Sequence, residues 1–218
     1  MLAQNNSNGD VVIDIGDYNE VILTHLHADH CGGIEELAYD HIFRTGKRCR
    51  LYSKHSILDN LWGHSLYSLH ESSRSPEDIP QMDWFFHPVP FDTTLDIGGG
   101  LKLFSRIARH NTETISIKLD YKSHRIGYSA DTAFDHDLID WLSDCDLIIH
   151  EVFTLPDVDH EISAIHTLPE ALLSIPIEIQ EKTLLVHYGD NWRDLEPLGQ
   201  FRFMRQSRRY TVGSHDKK

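Results

Sequence analysis

Thr24-His25-Leu26-His27-Ala28-Asp29-His30-Cys31-Gly32-Gly33 directly follows the apolar run Val21-Ile22-Leu23. His25, His27, Asp29 and His30 are all ligand-type side chains. Imidazole and carboxylate suit zinc and other first-row divalent ions. On an extended backbone His25 and His27 point to the same side. Asp29 and His30 begin a turn into a helix and address a neighbouring point. One short loop thus offers two ligands to each of two metal positions. Cys31, beside them, reads as a packing thiol.

The rest of the chain bounds what this segment serves. Its 218 residues carry 20 Lys+Arg against 34 Asp+Glu, a formal net charge of −14. That length suits a single domain over residues 1–218, with about ten amino-terminal and about five carboxy-terminal residues flexible. No window approaches the roughly 18 apolar residues of a membrane span, and the start lacks the basic and apolar regions of a signal peptide. Cys31, Cys49 and Cys145 are far apart and form no Cys-x-x-Cys pair, which points to a reducing compartment, the cytoplasm. The acidic balance argues against an extended nucleic-acid surface, because that affinity comes largely from Lys and Arg. Histidine is the outlier, with 16 residues.

Strand-like runs occur at 11–15, 20–24, 86–91, 101–108, 114–121, 125–129, 146–149 and 183–186. In 114–121 the apolar residues Ile115, Ile117, Leu119 and Tyr121 alternate, the period of a half-buried antiparallel strand. Helical spacing appears at Ile34, Leu37, Ala38 and Ile42, at Ile57, Leu58, Leu61 and Trp62, and at Leu138, Trp141 and Leu142. A fourth helix has Thr167 as N-cap, Pro169 in its first turn and Glu170 at the capping-box position, with Pro176 interrupting it. Gly98-Gly99-Gly100 fits a hairpin turn. The stretch 71–83 is a breaker-rich loop, either a lid or a surface connection, and the aromatics Trp62, Tyr67 and Trp84 around it read as core packing. Helices outside and sheet inside give α/β layers.

His-x-His-x-Asp-His after an apolar strand, followed by Gly-Gly, resembles the signature of the metallo-β-lactamase superfamily of binuclear metallohydrolases. That family's remaining ligands, His, Asp and His in order at later strand ends, match His110, Asp131 and His187. The resemblance covers about residues 11–190 and implies an αββα sandwich. It implies two divalent ions, zinc first, with manganese or iron as alternatives. His25, His27 and His110 would hold one ion, Asp29, His30 and His187 the other, and Asp131 would bridge them. Two cations about 3.5–4 Å apart lower the pKa of a shared water and clamp attacking and leaving oxygens. Five neutral imidazoles and two carboxylates leave residual positive charge, which favours an anionic substrate.

Asp131 stands where many true β-lactamases place a cysteine, which argues against antibiotic hydrolysis. The run Asp146–Phe153, then His166-Thr167, then His187, resembles the corresponding segments of ribonuclease Z-like phosphodiesterases. The resemblance implies that His166 protonates the leaving oxygen and that Glu151 orients it; with Asp29 they form the expected catalytic set. Alternatively, Glu151 and His166 are a polar pair supporting the metal shell. The expected activity is a phosphodiesterase acting on a small or exposed phosphodiester through attack by a metal-bridging hydroxide. A thioesterase or lactonase using the same centre, a ribonuclease Z-like tRNA 3′ processing enzyme and a catalytically weak metal-binding module are the alternatives. No long Gly/Pro-rich arm for gripping tRNA is visible. Only 24 residues precede His25, so the first sheet is shortened or the chain is a fragment. A homodimer is compatible with this reading.

Overall fold

β-branched and apolar runs form the strands, and their sheets fall into two units of the computed structural model, residues 1–92 and 93–218. The structure describes residues 4–5, 11–12, 17–72, 77–78, 80–155, 161–210 and 212. The expected flexible end at 214–218 and most of the expected flexible start therefore lie outside the described residues, as does part of the 71–83 loop. Among the described residues no helix is long and apolar enough to cross a membrane.

In the first unit, β1 (Gln4–Asn5) pairs antiparallel with β2 (Val11–Val12). Two of the ten residues expected to be flexible are therefore strand. β3 (Glu20–Ile22) leads through the histidine loop to α1 (Ala28–Cys31) and α2 (Ile34–Asp40). β4 (Cys49–Ser53), α3 (His55–Asn60), α4 (Tyr67–His70), α5 (Met82–Phe85) and β5 (Phe86–Pro90) complete the unit. β4 lies between β3 and β5, parallel to both. Sequence periodicity did not flag it. Its alternation is weak because Leu51, Tyr52 and Ser53 are all buried, as central parallel strands commonly are. Leu37, Ala38, Ile57, Leu58, Leu61 and Phe86 are among the buried apolar residues of this unit. Tyr67, expected in the core, is exposed and stacks on His70.

The second unit carries one seven-stranded sheet. Its elements are β6 (Thr94–Gly98), β7 (Leu101–Ile107), β8 (Ile115–Tyr121), β9 (His124–Tyr128), α6 (His136–Leu142), β10 (Leu147–Glu151), α7 (Pro169–Leu172), α8 (Ile177–Gln180), β11 (Thr183–Val186) and β12 (Arg202–Phe203). The spatial order is β12-β11-β10-β9-β8-β7-β6. β6 to β9 form an antiparallel meander, whereas β9, β10, β11 and β12 pair parallel. The Gly98-Gly99-Gly100 turn joins β6 to β7 with all three φ angles positive, which glycine adopts without steric cost.

Two local expectations fail for tertiary reasons. β8 is buried on both faces over Ile115–Lys118, not half-buried. On its second face the Ser116 hydroxyl donates to the Ser129 carbonyl at 2.5 Å, and the Lys118 ammonium reaches Asp144 at 2.7 Å and lies 4.5 Å from the centre of the Trp141 ring on α6. Thr167 does not cap α7, whose N-cap is Leu168. Its hydroxyl instead donates to the Thr132 carbonyl at 2.9 Å. α6 has a true cap, since the Asp135 carboxylate accepts from the Asp137 N–H at 2.9 Å. Its Leu138 and Leu142 pack with Cys145 and Ile148. Gly127 permits that approach, because a Cβ there would stand 2.6 Å from Leu142 Cδ2.

Strand direction decides where chemistry can gather. β7 and β9 both run antiparallel to β8, and β10 and β11 run parallel to β9. The carboxyl ends of β7, β9, β10 and β11 therefore share one edge of the sheet, the edge at which α/β folds place ligands.

Candidate metal centre

In the first unit, β3 ends and the chain enters the histidine loop. His25 is fully buried, with Nδ1 3.0 Å from the Thr24 hydroxyl, which leaves Nε2 as the nitrogen that could bind a cation. The His25 ring centre lies 5.0 Å from that of His27 and 4.1 Å from that of His30. His27 serves as the N-cap residue of α1, and its carbonyl accepts from the His30 and Cys31 N–H groups at 2.9 and 3.0 Å. This short helix turns His30 and Asp29 away from the direction of the preceding strand. Their closest donor atoms are 3.3 Å apart. Cys31 is buried, its thiol donates to the Leu26 carbonyl at 3.4 Å, and burial pushes its pKa up. It packs rather than ligates.

The second unit presents its residues along the shared sheet edge. His110 follows β7, Asp131 follows β9, Glu151 ends β10 and His187 follows β11. Two hydrogen bonds tie the first two turns together: the Ala133 N–H donates to the Arg109 carbonyl at 2.6 Å and the Arg109 N–H to Thr132 Oγ1 at 3.2 Å. The His110 Nδ1–H donates to the Ile165 carbonyl at 2.8 Å. That bond selects the tautomer whose Nε2 lone pair can bind a cation. One ligand atom of His110 lies within 4.8 Å of one of Asp131, and the same holds for Asp131 and His187.

The donor chemistry fits a divalent ion. Two donors on one tetrahedral ion at about 2.1 Å stand about 3.4 Å apart. His187 Nε2 and Asp131 Oδ2 are 3.4 Å apart, and the buried Asp131 is 2% exposed. The backbone pays for this placement: Ala130 (φ 53°) and His187 (φ 61°) are both left-handed without being glycine. Such strain persists at sites that the surrounding structure over-determines.

Glu151 organises the remaining histidines. It is 1% exposed, and its carboxylate accepts from the His166 Nδ1–H, with 3.1 Å to each oxygen, and from the Thr132 N–H. His187 Nδ1 lies 3.4 Å from the same carboxylate. Burial pushes the Glu151 carboxyl up, but the hydrogen bonds from His166 and His187 outweigh it and hold the pKa below the usual value. Glu151, His166 and His187 also meet the spacing of a metal-binding trio. The 3.1 Å separation is a hydrogen-bond distance, so we read Glu151 and His166 as a bonded pair. The His166 ring stacks on Phe153 at 5.1 Å and His187 at 5.0 Å, with His110 edge-on at 5.0 Å. The Phe153 N–H donates to the Thr167 carbonyl at 2.9 Å and brings the His166 turn against the end of β10. The neighbouring His150 is buried, burial pushes its pKa down, and it donates from Nδ1 to the Glu151 carbonyl at 2.7 Å.

Sequence reading passed over several contributors. The Thr132 N–H and the Ile165 carbonyl act through the backbone, which leaves no residue-type signal. Phe153 carries no signal of its own in the sequence beyond closing the run 146–153.

The chain is 29% identical over 214 residues to the anti-Pycsar protein Apyc1 of Bacillus phage BSP38, covering 93% of this chain and 81% of that protein. It is similar in structure to the metallo-β-lactamase fold protein YhfI of Bacillus subtilis, with TM-score 0.61, 18% identity, and 88% and 77% of the two chains covered. Unliganded yeast PDE1 superposes with TM-score 0.66 at 13% identity, covering 88% of this chain and 68% of that one. These likenesses place the αββα expectation within the metallo-β-lactamase fold. The family model for anti-Pycsar protein Apyc1 matches residues 6–210, and the chain belongs to that family.

Proposed function

We propose that this metal-dependent hydrolase is a phosphodiesterase that opens a cyclic nucleotide to a nucleoside monophosphate. The observation that carries the reading is the buried Glu151 carboxylate holding His166 by Nδ1. A ribose alkoxide is a poor leaving group and needs a proton as the P–O bond breaks. An imidazole anchored through one nitrogen can deliver that proton from the other. The anti-Pycsar designation of the relatives implies a cyclic nucleotide as the diester.

His25, His27 and His110 would hold one divalent ion and Asp29, His30 and His187 the other, with Asp131 common to both. Ions so held supply Lewis acidity and an activated nucleophile at phosphorus. The chain's own residues do the rest. Ile165 and Thr24 fix the His110 and His25 rings. Glu151 orients His166, and Phe153 with His187 limits that ring's rotation by stacking. Asp29 would assist from the histidine loop.

The test is incubation of metal-supplemented protein with 3′,5′-cyclic nucleotides, a thioester, a lactone and a precursor tRNA. Nucleoside monophosphate is the expected product, well ahead of the other reactions. Preferential thioester or lactone cleavage would move the assignment to carbonyl hydrolysis.

A further inference from the structure

We propose that the cavity beside His187, walled by Arg205 and Arg208, seats the nucleoside part of the substrate; this rests on the phosphodiesterase reading. In a chain of net charge −14, residues 201–210 read Phe-Arg-Phe-Met-Arg-Gln-Ser-Arg-Arg-Tyr, with four arginines and no acidic residue. The fold brings this local reversal of charge to a proposed metal ligand. β12 pairs with β11, whose end carries His187, and the Met204 N–H donates to the Leu185 carbonyl at 2.8 Å.

The turn after β12 is held in place. The Tyr188 hydroxyl donates to the Met204 carbonyl, and the Arg205 N–H donates to the Tyr210 hydroxyl at 2.7 Å. The Arg208 N–H donates to the Arg205 carbonyl at 3.3 Å, across Ser207 at φ 58°. His187, Tyr188, Met204, Arg205, Gln206 and Arg208 line a cavity of about 350 Å³. That volume lies near the lower end of small-ligand pockets, about 300–1,000 Å³.

The lining matches a nucleoside better than a bare anion. A base has two apolar faces and a polar edge. Guanidinium groups stack on such faces and donate to carbonyl and ring-nitrogen acceptors. The Arg205 guanidinium is held 5.1 Å from the centre of the Trp192 ring and 3.5 Å from Glu196, so one wall is preset. Arg208 is exposed, and no ion pair of its side chain is found among the described residues. It is the arm available to close on a base.

The test measures equilibrium binding of a nucleoside 5′-monophosphate and of ribose 5-phosphate to the metal-loaded protein. The preference for the nucleotide is expected to be about tenfold, the scale of one stacked base. Arg208→Ala should lower that preference about threefold or more, and the double variant Arg205→Ala/Arg208→Ala should nearly abolish it. Arg208→Lys should behave like Arg208→Ala, because the charge stays while the plane is lost. An unchanged preference in the Arg208 variants, or full rescue by Lys, overturns the subsite. Arg208 is exposed, so its variants carry the test even if loss of Arg205 from Trp192 impairs folding. If the wild-type protein hydrolyses no cyclic nucleotide, the functional reading fails while the binding preference still decides the subsite.

Discussion

His166 Nδ1 lies 3.1 Å from both carboxylate oxygens of Glu151, and the two residues are 15 positions apart in the chain. The carboxylate is nine-tenths or more hidden from water, so the imidazole has a fixed partner that solvent does not compete for. In the proposed function His166 is the proton donor, and its value should then depend on the leaving group.

His166→Ala should therefore lose about 10²–10⁴-fold in kcat on a cyclic nucleotide, the usual worth of general acid catalysis. On bis(4-nitrophenyl) phosphate, whose leaving group departs unaided, the loss should be much smaller. Glu151→Gln should show the same selective pattern more mildly. Steady-state kinetics on both substrates with metal content in parallel checks this. Equal losses, or lost metal, would place His166 in a supporting role.

Elemental analysis should find close to two divalent ions per chain after supplementation. Asp131→Ala should lose at least one of them, because the carboxylate is proposed to touch both. Under half an ion per chain in the unmodified protein would end the binuclear reading.

The charge cluster under the meander should make stability depend on pH. Arg125 donates to Asp120 at 2.5 Å and also to Asp144, and Lys118 donates to Asp144 at 2.7 Å. The Arg125 hydrogen bond holds the Asp120 carboxyl below its usual range. Burial pushes Asp144 up, but Lys118 and Arg125 outweigh it, and its pKa also falls. Carboxylates with depressed pKa contribute stability that is present above the unfolded value near 3.9 and lost as pH falls through the folded value. Asp144→Ala should cost about 1–3 kcal/mol at pH 7, toward the low end because Asp144 is half-exposed. The difference from the wild-type protein should start to shrink toward pH 3, because below about 3.9 the unfolded chain binds protons that the folded carboxylates do not. Urea denaturation at the two pH values measures both quantities, and an equal difference at each would show that the pair is electrostatically silent.

Folded precursor tRNA should bind weakly at physiological salt, with no efficient cut on its 3′ side. A net charge of −14 leaves few counterion-releasing contacts, and the arginine turn at 201–210 is short. Filter binding and a trailer-release assay test this, and clean release at low enzyme concentration would favour a ribonuclease Z-like role.

His25, His27, Asp29 and His30 were legible because they are local: one strand end and one turn hold them, and their spacing is written in consecutive residues. The strands 183–186 and 101–108 were legible for the same reason, since β-branched runs carry their own period. His110, Asp131 and His187 came into view only through a family resemblance, because nothing adjacent in the chain marks a strand end as a ligand.

What only the tertiary structure decided has a common physical cause, the partner lying far off in sequence. β4 escaped notice because burial against both neighbours erased its alternation. Thr167 looked like a cap, yet its hydroxyl serves Thr132 instead, and Lys118 sits buried because α6 brings Trp141 and Asp144 over it. The left-handed backbone of His187 and Ala130 has no local signature in non-glycine residues. By itself the sequence carried the local His-x-His-x-Asp-His set, and through its resemblance the class of fold. The pairing of Glu151 with His166 was expected only through the resemblance, and its geometry, like the arrival of the arginine turn beside His187, depends on the tertiary fold of the second sheet, which no local pattern encodes.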